Sequence, residues 1–560
     1  MTRWVFLVVS LLASVLPAVL AADPAHAEAS GSTSRRVAAA SLDAGALHTC
    51  AVRTTGALRC WGAAGSGQLG HNSASNIGDG TVSIKTAGDV PLGGKAVAVA
   101  AGTGHTCAVL TTGAVRCWGD GGSGRLGYNN TANVSDPVGP SIQEAGNVPL
   151  GLGAKATAIT AGHYFTCALL TTGAVRCWGE GVQGELGHNS VTSIGDDPTR
   201  SIETAGDVPL GGRATAIAAG DTHVCAVMAT GGVRCWGYDP QGELGHDYTK
   251  NIGDGDPAGQ SIEQAGDVPL QGKVRAIAAG AHHTCALMTT GGVKCWGAGS
   301  VGQLGYDSKA NVGDGGGVLM QDLEDVPLGG KAVAITAGGN HTCALLTTGA
   351  VRCWGAGTSG ELGYGGVDNV GDGIGPSIEA AGDVPLGGKA VAISAGGLHT
   401  CALLTTGAVR CWGEGGTGQL GHNNPDDIGD VIGSSIKQAG DVPVGASVRV
   451  RAATSLTAAV TPKRDRHAPY VYALSGRIRG SFAVEPTTCT GKVRIAVRLG
   501  TRTLQTRTPR LDERCRYHAR FHIRTRRLPV HKETRLAVRL HYLGSGNLGP
   551  AAATRRITAR

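Results

Sequence analysis

Between residues 36 and 450 the chain alternates short apolar runs with breaks rich in glycine and threonine. One stretch shows the pattern. Ala332-Val333-Ala334-Ile335 is a strand-sized apolar run, Gly338-Gly339-Asn340 a break, and Thr342 to Leu346 a second run. Thr347-Thr348-Gly349 predicts a tight turn and Ala350 to Trp354 a third strand. Gly355 to Gly363 reads as a glycine-rich turn region, followed by a polar loop. Asp383-Val384-Pro385-Leu386 reads as an outer edge strand, where proline's missing N–H costs no ladder bond.

The same pattern recurs seven times. Its first cysteine is Cys50, Cys107, Cys167, Cys225, Cys285, Cys343 and Cys401, at spacings of 57, 60, 58, 60, 58 and 58 residues. A second cysteine follows ten residues after each: Cys60, Cys117, Cys177, Cys235, Cys295, Cys353 and Cys411. A tryptophan comes next every time, from Trp61 to Trp412. Four short strands per unit, repeated seven times, predict an all-β fold: a seven-bladed β-propeller over residues 36–450.

The turn sets the register of each hairpin. With Thr347-Thr348-Gly349 as a three-residue loop closed by Gly349 in the left-handed region, Leu346 faces Ala350 and Cys343 faces Cys353. Directly opposed cysteines on antiparallel neighbours meet the Cα distance a disulfide needs, and this pair falls at a non-hydrogen-bonded site. The alternative is bridging between blades. The ten-residue spacing in all seven units favours the hairpin.

These residues resemble the regulator of chromosome condensation repeat family. The copies that carry the resemblance are His341-Thr342-Cys343-Ala344-Leu345, Gly349-Ala350-Val351-Arg352-Cys353-Trp354-Gly355 and Gly360-Glu361-Leu362-Gly363, with Gly67-Gln68-Leu69-Gly70 and Gly418-Gln419-Leu420-Gly421. The resemblance implies a closed seven-bladed propeller. Within the family the chain looks most like a secreted bacterial branch with paired cysteines. It departs from the usual repeat by those cysteines and by a longer loop, such as His71 to Lys95.

Composition agrees with a turn-rich β protein: 92 glycines without a Gly-X-Y period, 41% hydrophobic and 4% aromatic residues. Arg3, the apolar run Val5 to Leu20 and Ala25-His26-Ala27 read as a secretory leader over 1–27. The competing reading, a membrane anchor, is disfavoured by the shortness of the run and by Pro17. Export makes the sixteen cysteines presumptive disulfides, and Cys489 and Cys515 are then left to pair with each other.

Charge divides the chain after Val444. Residues 445–560 hold 25 basic residues against five acids, a formal +20, whereas the first 444 hold 24 against 37, a formal −13. Strands are predicted at Tyr470–Arg479, Val493–Leu499, Tyr517–Ile523 and Thr534–Tyr542. The segment resembles small immunoglobulin-like β-sandwich modules of exported proteins, over 468–560, with a linker at 451–467.

Several motifs have competing readings. Gly65-Ser66-Gly67-Gln68-Leu69-Gly70 fits a phosphate fingerprint, but no helix is evident after it and it returns in most blades, which favours a structural turn. The recurring histidines His48, His105, His223, His283, His341 and His399 read as hydrogen-bonding residues of the inner strands rather than zinc ligands, since each neighbouring cysteine already has a partner and repeat three has Phe165 instead. Asn76-Ile77-Gly78-Asp79 and its counterparts could form a calcium-holding carboxylate ring, or turns in which Asn and Asp bond nearby backbone; the turn is favoured.

No catalytic constellation is found, so no enzyme activity, cofactor or metal is expected. The expected function is a secreted or cell-surface scaffold, a monomer that binds a protein partner through rim loops. Candidate contacts lie at Tyr238-Asp239-Pro240, Gly315–Leu323 and Tyr364–Asp368, with Tyr238, Asp239, Tyr364 and Asp368 as the residues singled out. An alternative is a cell-envelope structural protein whose Arg-rich residues 445–560 sit on an anionic polymer. The family name further implies guanine-nucleotide exchange with chromatin binding. A leader and cystines place the chain in another compartment, so no nucleic-acid partner is expected.

Overall fold

The computed structural model describes residues 41–430 except 258, residues 434–445, and strands between 454 and 559. The leader and the Cys489–Cys515 pair lie outside the described residues.

Seven three-stranded antiparallel sheets follow one another, each a simple meander. In repeat six the strands are Ala332–Ala337, His341–Leu346 and Val351–Gly355. The expected register holds: Cys343 faces Cys353, Ala344 faces Arg352 and Leu345 faces Val351. Gly349, at φ 85°, donates to Leu346 O at 3.0 Å, and Leu346 N donates to Ala350 O at 2.8 Å. The seven disulfides among the described residues each close within their own hairpin, with Cα atoms 4.1 Å apart.

First strands of successive sheets pack on one another, and the last, Ala390–Ala395, packs on the first, Leu42–Ala44. They are the inner strands.

The expected fourth strand is not formed. Asp383 to Leu386 keeps one inter-strand bond, Val384 N to Val351 O at 2.8 Å, because Pro385 has no N–H to continue the ladder. The loop before it is not merely polar. It holds one helical turn, Ile378–Ala381, capped by the Ser377 side chain at one end and by Gly382 at φ 75° at the other. Five further repeats have this turn, starting with Ile84–Ala87. Repeat five has a 3₁₀ turn, Met320–Asp322, with Met320 buried.

Each sheet is bolted to the next by its tryptophan. All seven tryptophans of the repeats are fully buried. Each indole Nε1 donates to a carbonyl in the Gly-x-Leu-Gly turn of the preceding sheet, at 2.8–3.0 Å. The series includes Trp61 to Gln419 O, which joins the last repeat to the first. Burying an indole removes roughly 200 Å² from water, on the order of 5 kcal/mol before entropy is charged. The Gly-x-Gly-x-x-Gly element is therefore a structural turn. A side chain on Gly67 would meet the Ser135 and Asp136 backbone at 2.5 Å.

Beyond residue 450, two more sheets appear. One contains Thr454–Leu456, Ala459–Thr461, Tyr470–Gly480 and Arg516–Ile523. The other runs Arg464–Asp465, Ala551–Ala559, Thr534–Tyr542, Val493–Leu499, Arg502–Arg507. Four strands fall where sequence places them. Residues 454–465, read as linker, contribute three short strands to these sheets.

Candidate functional site

Thr and His residues build the joints between sheets. Thr106 Oγ1 donates its one proton to Gln68 O at 2.8 Å, so its contact with His48 Nε2 at 2.8 Å has the imidazole as donor. The same relay recurs from His105 to Thr166, His223 to Thr284, His283 to Thr342, His341 to Thr400 and His399 to Thr49. Burial pushes these imidazoles down, His341 to about 4 and His283 to about 3, which keeps them neutral. Repeat three has Phe165 in place of histidine, and repeat four has Val224 in place of the threonine Phe165 would face. Both partners change at one joint.

The Asn-Ile-Gly-Asp segments are turns. Asn369 Oδ1 accepts from Gly357 N at 3.2 Å, and Asp372 Oδ1 accepts from Ile374 N at 3.0 Å and Gly375 N at 2.8 Å. Among the described residues no group of three or more His, Cys, Asp or Glu side chains is placed to hold a metal ion.

One end of the inner strands carries a ring of short loops between first and second strands. Successive loops are hydrogen-bonded, as in His163 N to Asp221 O at 3.1 Å, Gly339 N to Gly397 O at 3.2 Å and Gly397 N to Gly45 O at 3.1 Å. The first loop residue must be glycine: a methyl on Gly338 would meet Gly396 O at 2.3 Å and the His341 ring at 2.4 Å. The next two positions differ between repeats. They are Ala46-Leu47, Thr103-Gly104, Gly339-Asn340 and Gly397-Leu398 in four repeats. Repeats three to five have His163-Tyr164, Asp221-Thr222 and Ala281-His282.

These residues are held from the preceding sheet. Arg125 stands where the other repeats have Gln or Glu, and its guanidinium lies 4.5 Å from the Tyr164 ring centroid. Asp120 fixes that guanidinium at 3.0 Å, and the His163 ring stacks on Tyr164 at 3.8 Å. Tyr164 is 37% exposed; Val182, two residues after Glu180, whose N–H donates to Tyr164 O at 3.0 Å, is 55% exposed. Two joints on, Glu243 Oε1 lies 3.4 Å from His282 Nδ1, an ion pair when the imidazole is protonated. Glu243 raises the His282 pKa. Burial raises Glu185 to about 7 and Asp239 to about 9, so Asp239 is protonated at neutral pH.

The four residues singled out from sequence have different surroundings. Asp239 is buried and its Oδ1 accepts from Leu244 N at 2.9 Å. Tyr238 is half-buried on the same face, its N–H donating to Thr222 O at 3.0 Å. Tyr364 lies beyond the third strand, its hydroxyl donating to Cys353 O at 3.1 Å or Gly382 O at 3.2 Å, and burial pushes it to about 12. Asp368 is exposed near it. Arg125, His163, Tyr164, Val182 and His282 were not singled out by the sequence reading. Their signal was present: they are departures from the repeat at aligned positions.

Among known proteins, the profile of the RCC1-like domain matches residues 20–369, and that of the regulator of chromosome condensation (RCC1) repeat matches residues 390–419. The ultraviolet-B receptor UVR8 of Arabidopsis thaliana is 28% identical over 389 residues, covering 68% of this chain and 78% of the receptor. The E3 ubiquitin-protein ligase HERC2 of Homo sapiens is 30% identical over 375 residues, covering 65% of this chain but only 7% of the ligase. Yeast RCC1 (Prp20), in its structure bound to Kap60, superposes with a TM-score of 0.51 at 20% identity, covering 72% of this chain and 86% of that one. The seven interlocked sheets and the matched repeats lead to one conclusion: this chain belongs to the RCC1-like family of β-propeller proteins.

Proposed function

We propose that this chain is an exported seven-bladed propeller that binds a protein partner at the loop ring carrying Arg125, His163, Tyr164, Val182 and His282. The observation that carries the reading is the break in repeat symmetry on that face. Tyr and Arg, the side chains that anchor protein interfaces, occur together there and are held by Asp120 and His163 before any partner arrives. Seven buried cystines suit an oxidising compartment, which argues against exchange on a nuclear GTPase. The basic C-terminal sheets, read as an immunoglobulin-like module, are a second attachment point, for an anionic envelope polymer; their formal +20 supports it.

The test is capture from native culture medium and cell envelope by the whole mature chain. A partner held by wild type should be lost by Tyr164→Ala/Val182→Ser and kept by Val138→Ser/Ile374→Ser, whose exposed side chains lie on other loops. Equal capture by both variants would rule out this face.

A further inference from the structure

The opposite ends of the inner strands carry the opposite charge. In six of seven repeats a basic residue immediately precedes the inner strand: Lys95, Lys155, Arg213, Lys273, Lys331 and Lys389. All six are exposed. The repeat fixes their positions twice. Each carbonyl accepts from the N–H that begins the hairpin turn of its own sheet, as in Thr347 N to Lys331 O at 2.9 Å and Thr289 N to Lys273 O at 2.8 Å. Five of the side-chain stems lie over the turn glycine of the preceding sheet; a methyl on Gly56, Gly113, Gly173, Gly231 or Gly291 would come within 2.8–3.0 Å of them. The stems are seated and the charged heads reach water.

Nothing described neutralises those heads. The carboxylates of Asp89, Asp207, Asp267, Asp383 and Asp441 are taken by arginines of the third strands, Asp89 also by Arg53 after the second strand. None of the six cations forms an ion pair among the described residues. Nearer in sequence than Glu203, Glu263 and Glu379 of the short helical turns are Asp207 and Asp267, both already paired, and Asp325, which forms no ion pair among the described residues. The other mouth has Asp120, Glu180, Asp221 and Glu414 beside its loops, with Arg125 paired to Asp120, and no lysine there. A chain segment with a formal −13 thus gathers unpaired cations at one end of its axis.

We propose that this lysine mouth binds a linear polymer bearing repeated phosphate groups. A single small anion would meet one ammonium in water and gain little. A polymer meets several in succession and releases its counterions to each. Turn threonines such as Thr347 and Thr405 stand beside the lysines and add hydroxyl donors, so five repeats offer an ammonium and hydroxyls, and repeat four a guanidinium, to one phosphate's several acceptor oxygens. The proposal does not rest on the protein-binding face, which lies at the other end of the same strands.

The test is titration of the full mature chain with long-chain inorganic polyphosphate over a range of salt. Lys273→Gln/Lys331→Gln should bind about tenfold more weakly near 0.1 M salt, with a log–log salt slope shallower by roughly 2. Lys85→Gln/Lys250→Gln, two exposed lysines elsewhere with the same change in charge, should stay within about twofold of wild type. Equal loss in both pairs would mean only net charge matters and would overturn the assignment. No loss in the mouth variant would place binding in the basic C-terminal region and overturn it too. Hyaluronate supplies the carboxylate arm: mouth-dependent binding as tight as that of polyphosphate would remove the phosphate assignment.

Discussion

At the residue scale, the imidazole–hydroxyl–carbonyl relay explains why two repeats depart from the pattern together. A neutral histidine needs an acceptor for its Nε2 proton, and a buried threonine needs one for its hydroxyl. Removing only one partner leaves a buried polar group unmatched, at about 1–3 kcal/mol. Thr400→Val strands the His341 Nε2–H, so it should lower the melting temperature. His341→Phe/Thr400→Val should recover part of that loss, since Phe165 and Val224 already form such a joint in this chain. A thermal double-mutant cycle at pH 7 measures the coupling, and strictly additive losses would refute it. The acid dependence follows from the lowered pKa. His341 titrates near 4 folded against 6.5 ordinarily, so its stabilising effect is full above about 6.5 and is lost as pH falls towards 4. The double variant should lose less stability than wild type across that window. The relay was half legible. The sequence showed recurrent histidines and their absence in repeat three. It did not show that the partner threonine sits in the next repeat, because that contact spans 59 residues.

At the element scale, the hairpin was legible to the residue and the outer edge was not. A three-residue turn with glycine last leaves one register, and Cys343 and Cys353 then have to meet. The outer segment sends weaker signals. A helix of four residues shows no 3.6-residue period, so Ser377 and Gly382 could be recognised only as its caps, not through its faces. Val384 and Leu386 alternate like a strand, yet a strand with Pro385 between them keeps a single ladder bond. The cystine itself should be a local brace. In the chain-entropy description, closing so short a loop stabilises by roughly 2–3 kcal/mol. Cys343→Ser/Cys353→Ser should therefore lower the melting temperature while leaving the far-ultraviolet β signature intact, because the same hairpin keeps its ladder and its buried Trp354. Loss of that signature would show that the bridge is needed to form the sheet.

At the scale of the whole molecule, the question is whether the ring has ends. In an open array the terminal joint is the weakest, since its repeat has a neighbour on one side only. Here the last repeat grips the first with the same atoms used elsewhere. Trp61 donates to Gln419 O, Thr49 Oγ1 to Gln419 O at 3.0 Å, and His399 Nε2 to Thr49 Oγ1 at 2.8 Å. The interior counterpart has Trp354 and Thr342 both donating to Gln303 O, with His283 on Thr342. The joints differ in connectivity, because no peptide bond crosses the first one. If the ring is closed, that difference carries little energy once the sheets are packed. Trp61→Phe and Trp354→Phe each delete one indole hydrogen bond and leave a ring in the core, a loss of about 1 kcal/mol. They should depress the melting temperature equally, each in one cooperative transition. A smaller shift for Trp61→Phe, or an early partial transition in that variant alone, would mean that the first and last sheets separate before the rest unfolds. The repeat pattern announced seven equivalent units, but equivalence of the closing joint is a property of the assembled ring, and comparing these two tryptophans measures it directly.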